Sequence, residues 1–324
     1  MLNSEDKNKP IAMYLPVAPR TLGDLVGESV KTFRTHARFI FSAFFWPSTL
    51  TCTAMAIGSS FATRLFGAIS RMESFGPALY LPCAIVLACV LVWTGAVGWS
   101  VIRGSEMVRM VLGKDQSLSA AAKSLGSRVA AVICASLLSN LPAVVLAVIT
   151  FLLLTFCRTI IPAQESPLRY LYSGILYGLL GVISTVSIAL SAIWGTLYFM
   201  VVIAEGLSLK DSFKRSLDLA GMRLLRGGSF ICLLILALLL IYFVIEGPLL
   251  IYFAFDEVLA RKAGIADHQI ALWWQVIWTV IDTISSIIAN GVFYLGMAYY
   301  YNDLLLRAEG ADMFDRLDKI KVLK

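Results

Sequence analysis

Two carboxylic acids stand inside long apolar runs of this chain, Glu246 and Asp282. A carboxylate at bilayer depth costs ~3 kcal/mol to insert, so such a group normally faces protein or water and carries a role. Asp282 has Thr283, Ser285, Ser286 and Asn290 nearby, and Glu246 precedes Gly247 and Pro248. Proline removes a backbone donor and bends a helix, so freed carbonyls are expected beside Glu246 in a polar break of its span. Two chemistries fit: a proton or cation site shared by adjacent antiparallel spans, or neutral carboxyls hydrogen-bonded to Ser, Thr, Tyr or backbone. Asn140, followed by Leu141 and Pro142, is expected to bond between helices. Asn140, Glu246, Asp282 and Asn290 are the intramembrane polar candidates.

Soluble-enzyme chemistry has little to work with. His36 and His268 fall on opposite borders of the expected topology, and no Walker A, HExxH, GxSxG or dinucleotide fingerprint occurs. The six cysteines, at 52, 83, 89, 134, 157 and 232, lie in or at the edge of apolar runs without a CxxC pair. They read as buried thiols packing as small apolar groups. The expectation is no catalytic residue, no cofactor and no metal.

The elements that must position these groups are membrane spans. Six runs, Phe39–Phe61, Ala78–Ile102, Val129–Cys157, Leu171–Ala204, Phe230–Phe255 and Ala271–Tyr301, each exceed the ~20 residues that cross a ~30 Å hydrocarbon layer. Outside them the 27 Lys and Arg fall as 6, 2, 5, 2, 5, 2 and 5 along the chain, 21 on one side and 6 on the other. Basic residues are retained in the cytoplasm, so both termini and the second and fourth connections are expected inside. The net charge of +6 therefore reads as topology and lipid headgroups rather than nucleic acid.

Before the first, third and fifth spans the chain repeats a short basic amphipathic stretch, opening at Thr21-Leu22, Ser117-Leu118 and Ser208-Leu209. Thr21 with Asp24 and Ser208 with Asp211 suit a capping box, and the matching acid is missing at Ala120. The stripes Leu22, Leu25, Val26, Val30, Phe33 and Leu209, Phe213, Leu217, Ala220 predict interfacial helices, with the apolar face in lipid or on the bundle. The fourth span spaces Gly174 and Gly178, then Ser187, Ser191 and Gly195, for close helix packing. The expected fold is an all-α integral membrane protein: a six-helix transmembrane bundle with amphipathic interfacial helices on the cytoplasmic face. Its parts are a polar N-terminal arm over 1–20, a six-span membrane domain over 21–310 and a cytoplasmic amphipathic tail over 311–324.

Three stretches carry a resemblance. Ala204-Glu205-Gly206 with Lys214-Arg215-Ser216-Leu217-Asp218-Leu219-Ala220-Gly221 is one, and Tyr299-Tyr300-Tyr301-Asn302-Asp303-Leu304 with Arg307-Ala308-Glu309-Gly310-Ala311-Asp312 is another. With the opening Arg20-Thr21-Leu22-Gly23-Asp24-Leu25, they resemble the glycerophosphoryl diester phosphodiesterase membrane-domain family and its multi-span relatives. The resemblance implies a six-helix module of the cytoplasmic (inner) membrane, fused to a phosphodiesterase barrel in some members and alone in many. This chain has neither that barrel nor its histidines, so architecture and a lipid-side or envelope-associated role are what the resemblance implies.

In the expected topology Glu205, Arg215, Asp303, Arg307, Glu309 and Asp312 share the cytoplasmic border. They are candidates for a salt-bridge clamp, with Arg215 pairing to Asp303 or Glu309 and Arg307 to Glu205 or Asp312, or for a headgroup or ligand surface. The expected function is a non-catalytic membrane module, a lipid- or envelope-associated scaffold or partner subunit. Its partners would be membrane lipids and a second membrane or soluble protein, not nucleic acid. The alternative is a transporter or channel for a small solute or lipid that uses the intramembrane carboxyls.

Overall fold

The computed structural model describes residues 19–70, 77–115, 117–160, 193–221, 224–262 and 272–322. The described elements run α1 Leu22–Thr35, α2 Ala37–Ser70, α3 Pro77–Val111, α4 Leu118–Gly126, α5 Val129–Ile160, α6 Ile193–Glu205, α7 Leu209–Gly221, α8 Leu224–Lys262 and α9 Leu272–Val322. Five stretches are long and apolar enough to cross a membrane: Ala37–Thr63, Leu79–Val111, Val129–Thr150, Leu225–Asp256 and Trp273–Ala308. The chain is a helical protein built for a bilayer, and large side chains such as Trp46, Leu81, Leu137, Leu239, Phe243 and Phe255 stand exposed along these helices. Five such stretches are found where six were expected. Of the expected span over 171–204, residues 171–192 lie outside the described residues, and α6 is its described end.

The three short amphipathic helices form where the sequence places them. Ser117 Oγ accepts the Ala120 amide at 3.2 Å although the capping acid is absent. Ser208 Oγ accepts the Asp211 amide at 3.2 Å while donating to the Asp211 carboxylate at 2.6 Å, which satisfies an orphan donor of the first turn of α7. The expected stripe on α7 is not the face that packs inward. Ser212, Ser216, Leu219 and Ala220 are buried, whereas Phe213 is 46% and Leu217 47% exposed. Small hydroxyl residues permit close approach to protein, while the half-exposed Phe213 keeps its ring against Trp194 and Tyr198 on α6.

Packing divides the chain into two units. The first takes in Gly23–Ala121 and Leu234–Gly296. Its core sets Phe44 against Tyr294, rings stacked at 5.8 Å, and buries Leu25, Ile40, Met107 and Leu295. Gly104 faces the Tyr294 ring so closely that a Cβ would collide with it. The second unit takes in Pro16–Leu22, Ala122–Leu233 and Met297–Lys324. Here Phe230 stacks on Tyr300 at 4.5 Å, and Tyr299, Tyr300 and Tyr301 are all buried. A Cβ on Gly195 would meet the Ser139 carbonyl, so α5 and α6 touch backbone to backbone.

Proline does not interrupt these helices. Pro47, Pro82, Pro142 and Pro248 lie inside α2, α3, α5 and α8, and α8 continues through Pro248 to Lys262. The helix assignment thus runs on past Glu246, with the proline accommodated inside a continuous α8, as membrane helices allow.

Candidate functional site

Asp282 lines a cavity in the first unit. The cavity measures about 470 Å³, and its walls come from three helices: Cys52, Met55, Ala56, Ser59 and Ser60 on α2, Phe253 on α8, and Gln275, Trp278, Thr279 and Asp282 on α9. The lining is mainly apolar, and Asp282 is its one ionisable carboxyl. The Cys52 thiol and the Asp282 carboxyl line the same cavity from α2 and α9. Thr283 Oγ1 donates to the Thr279 carbonyl at 2.7 Å, which keeps that hydroxyl on its own helix.

From Asp282 a polar seam runs further along α9. Asn290 Nδ2 donates to Ser286 Oγ at 3.4 Å, and Ser286 Oγ donates to Ser48 Oγ on α2 at 3.4 Å. Asn290 thus reaches α2 through a serine. On α8, Glu246 has Asp282 and Ser285 among its polar neighbours, and Tyr242 lies in the same electrostatic neighbourhood. Glu246 Oε1 and Ser285 Oγ are both buried without a hydrogen-bond partner. Spacing alone had singled out Glu246, Asp282 and Asn290, and the structure gathers them in one unit. Cys52, Tyr242 and the Ser48 contact were missed, because residues of those types are too common in apolar helices to announce a site.

Asn140 behaves differently from its expectation. Its amide donates to the Ser136 carbonyl at 2.8 Å and to Ser139 Oγ at 3.4 Å, within its own helix. A side chain that finds acceptors one turn back has no need of a neighbouring helix.

The border residues form two knots in the second unit, with pairings other than those expected. Asp303 is 1% exposed. Its Oδ1 accepts the Arg20 amide at 2.9 Å, and its Oδ2 accepts Arg226 Nη2 at 2.9 Å and Arg307 Nε at 2.8 Å. Arg226 Nη2 and Arg307 Nη2 also donate to the Arg20 carbonyl, at 2.7 and 2.9 Å. In the second knot Glu205 Oε1 accepts Tyr301 Oη at 2.6 Å and Arg215 Nε at 3.3 Å. Among the described residues Arg215 therefore pairs with Glu205 rather than Asp303, and Arg307 with Asp303 rather than Glu205. The side chains of Glu309 and Asp312 lie outside the described residues.

The reason for the exchange is local geometry. Asp303 and Arg307 are one helical turn apart, and α6 turns directly into α7 at Gly206, which brings Glu205 to Arg215. Gly206 adopts φ 65°, and the Arg128 guanidinium occupies the space a Cβ would need. Arg226 and the Arg20 backbone, absent from the sequence reading, complete the Asp303 knot. A lone Arg at a basic border carries no signal of which carboxylate it will find.

Among the described residues no cluster of His, Cys, Asp and Glu suits a metal ion. No family model, curated protein or solved structure matches the chain.

Proposed function

We propose that the chain is a non-catalytic, six-span protein of the cytoplasmic membrane that holds an amphiphilic, lipid-like molecule in the cavity on Asp282. The cavity itself carries the reading, because its volume of about 470 Å³ falls in the ~300–1,000 Å³ range of small-molecule sites. Met55, Phe253 and Trp278 would cover an apolar body, and Asp282 with Ser59 and Ser60 would take a hydroxyl or amine head. The sixth span would be 171–204, ending in α6. The division of basic residues supports both termini inside, and the outward Phe213 and Leu217 support α7 lying on the lipid surface. The resemblance to the glycerophosphodiesterase membrane-domain family supports the lipid-side role, with a second protein as the partner at the border.

Transport is the second reading, favoured by the way polar groups continue from the cavity through Asp282 to Glu246 and Tyr242. Lipid extraction and mass spectrometry of nanodisc-embedded protein tests the first. One amphiphile class is expected to be enriched over the bulk membrane with the wild type and lost with Ser59→Trp, whose indole fills the cavity. Equal enrichment with both proteins removes the cavity reading. Asp282→Asn is expected to fold with unchanged yield; if it does so while abolishing a proton-coupled flux in liposomes, transport replaces binding.

A further inference from the structure

We propose that Arg226 and Arg307 form a phosphate-binding site at the membrane border. Among the described residues Asp303 is the one carboxylate bonded to Arg226 and Arg307, so two guanidinium charges share a single negative charge. The Arg20 backbone, through its amide and carbonyl, holds the joint together. An excess of positive charge around a buried carboxylate creates a standing demand for an anion.

The donors for it are present and aimed. Arg307 uses Nε and Nη2, and Arg226 uses Nη2, so the Nη1 group of each is left unbonded among the described residues. Arg226 Nε is buried without a partner, a second sign that this guanidinium is not saturated by protein. Both side chains remain about a quarter exposed, at 23% and 24%. Asp303 and the Arg20 carbonyl fix the planes of the two guanidinium groups in advance, so little rotamer freedom remains to be lost when an oxyanion bridges them. A tetrahedral phosphate accepts from two such forks at once.

The depth is that of phospholipid headgroups. Arg226 sits in the first turn of the Leu225–Asp256 span and Arg307 in the last turn of the Trp273–Ala308 span. A phosphate of an anionic lipid headgroup and free inorganic phosphate share the required chemistry, and the experiment distinguishes them.

Native mass spectrometry of the detergent-solubilised full chain, titrated with phosphatidylglycerol or phosphatidylcholine, is the test. Arg226→Gln removes one charge, and Arg307→Lys keeps the charge while removing the fork. Retention of phosphatidylglycerol over phosphatidylcholine is expected for the wild type, with about fivefold weaker binding for Arg226→Gln, since each basic residue near an anionic headgroup contributes about that factor. Arg307→Lys is expected to weaken it further. If inorganic phosphate alone raises the unfolding temperature and competes the lipid away, free phosphate is the natural occupant. Equal retention of both lipids by the wild type with no response to phosphate overturns the site, as does unchanged phosphatidylglycerol binding by a folded Arg226→Gln or Arg307→Lys protein.

Discussion

Tyr301 Oη donates a 2.6 Å hydrogen bond to Glu205 Oε1, joining the end of α6 to α9 across 96 residues of chain. The same oxygen takes Arg215 Nε at 3.3 Å, from a side chain that is 41% exposed. One carboxylate atom thus has a short, buried partner and a long, solvated one. Tyr301→Phe is expected to cost about 2 kcal/mol, the range of a hydrogen bond to a charged group. Arg215→Ala is expected to cost less than about 1 kcal/mol, as exposed ion pairs do. Equilibrium unfolding in detergent micelles reads both, and equal losses would contradict the ranking.

Asp303 has the larger role. Asp303→Asn removes the charge on which Arg226 and Arg307 converge and leaves both guanidinium groups partly buried beside a neutral amide. Breaking one member of such a buried network is expected to cost ~3 kcal/mol or more. A drop in unfolding temperature well beyond that of Arg215→Ala is the outcome to look for.

His36 supplies a pH dependence. It immediately precedes the α2 span, and burial holds its imidazole below the ordinary value of 6.5. The fold therefore favours the neutral ring, while the unfolded chain takes up a proton near 6.5. The associated stability is complete above that pH and is lost as pH falls through it toward the lower folded value. Unfolding temperatures measured between pH 7.5 and pH 5, steps of roughly one unit about the imidazole range, are expected to decline. His36→Gln is expected to flatten part of that decline.

Topology is tested by single cysteines on a cysteine-free background. Labels at Ser124 and beyond Asp312 are expected to react only after the membrane is opened, and labels at Arg71, Glu165 and His268 in intact cells. External reaction at Ser124 would invert the arrangement. Arg71, Glu165 and His268 lie outside the described residues, so here the expectation rests on the basic-residue pattern alone.

Much of the scaffold was legible because its determinants are local. Apolar length and flanking charge placed the starts of α2, α3, α5 and α9 within a few residues, and Ser117 and Ser208 marked the residues before α4 and α7. The start of α8 was set too late, at Phe230 instead of Leu224. Arg226 had been counted as a loop charge, although a basic residue tolerates the first turn of a span when a buried carboxylate receives it. The apolar stripe of α7 was expected in lipid or on the bundle, and what it did not announce is the burial of Ser212 and Ser216. In water an apolar stripe points to the core, but at a lipid boundary Phe213 and Leu217 have an apolar solvent, and Ser212 and Ser216 are left to pack. The pairing of Arg307 with Asp303 was readable from their four-residue spacing. The capture of the Arg20 backbone was not, because it depends on where α8 and α9 bring their ends.

That capture sets an order of events. The Arg20 amide is held by a residue 283 positions further along the chain, and its carbonyl by residues 206 and 287 positions further, so the joint cannot close fully until the ribosome has passed Arg307 in the last long helix. Until then the Arg20 amide must wait without the Asp303 carboxylate. Capture of Arg20 thus marks a chain made past Arg307, and a protease or chaperone that samples Arg20 can tell such a molecule from one whose α9 is not yet in place.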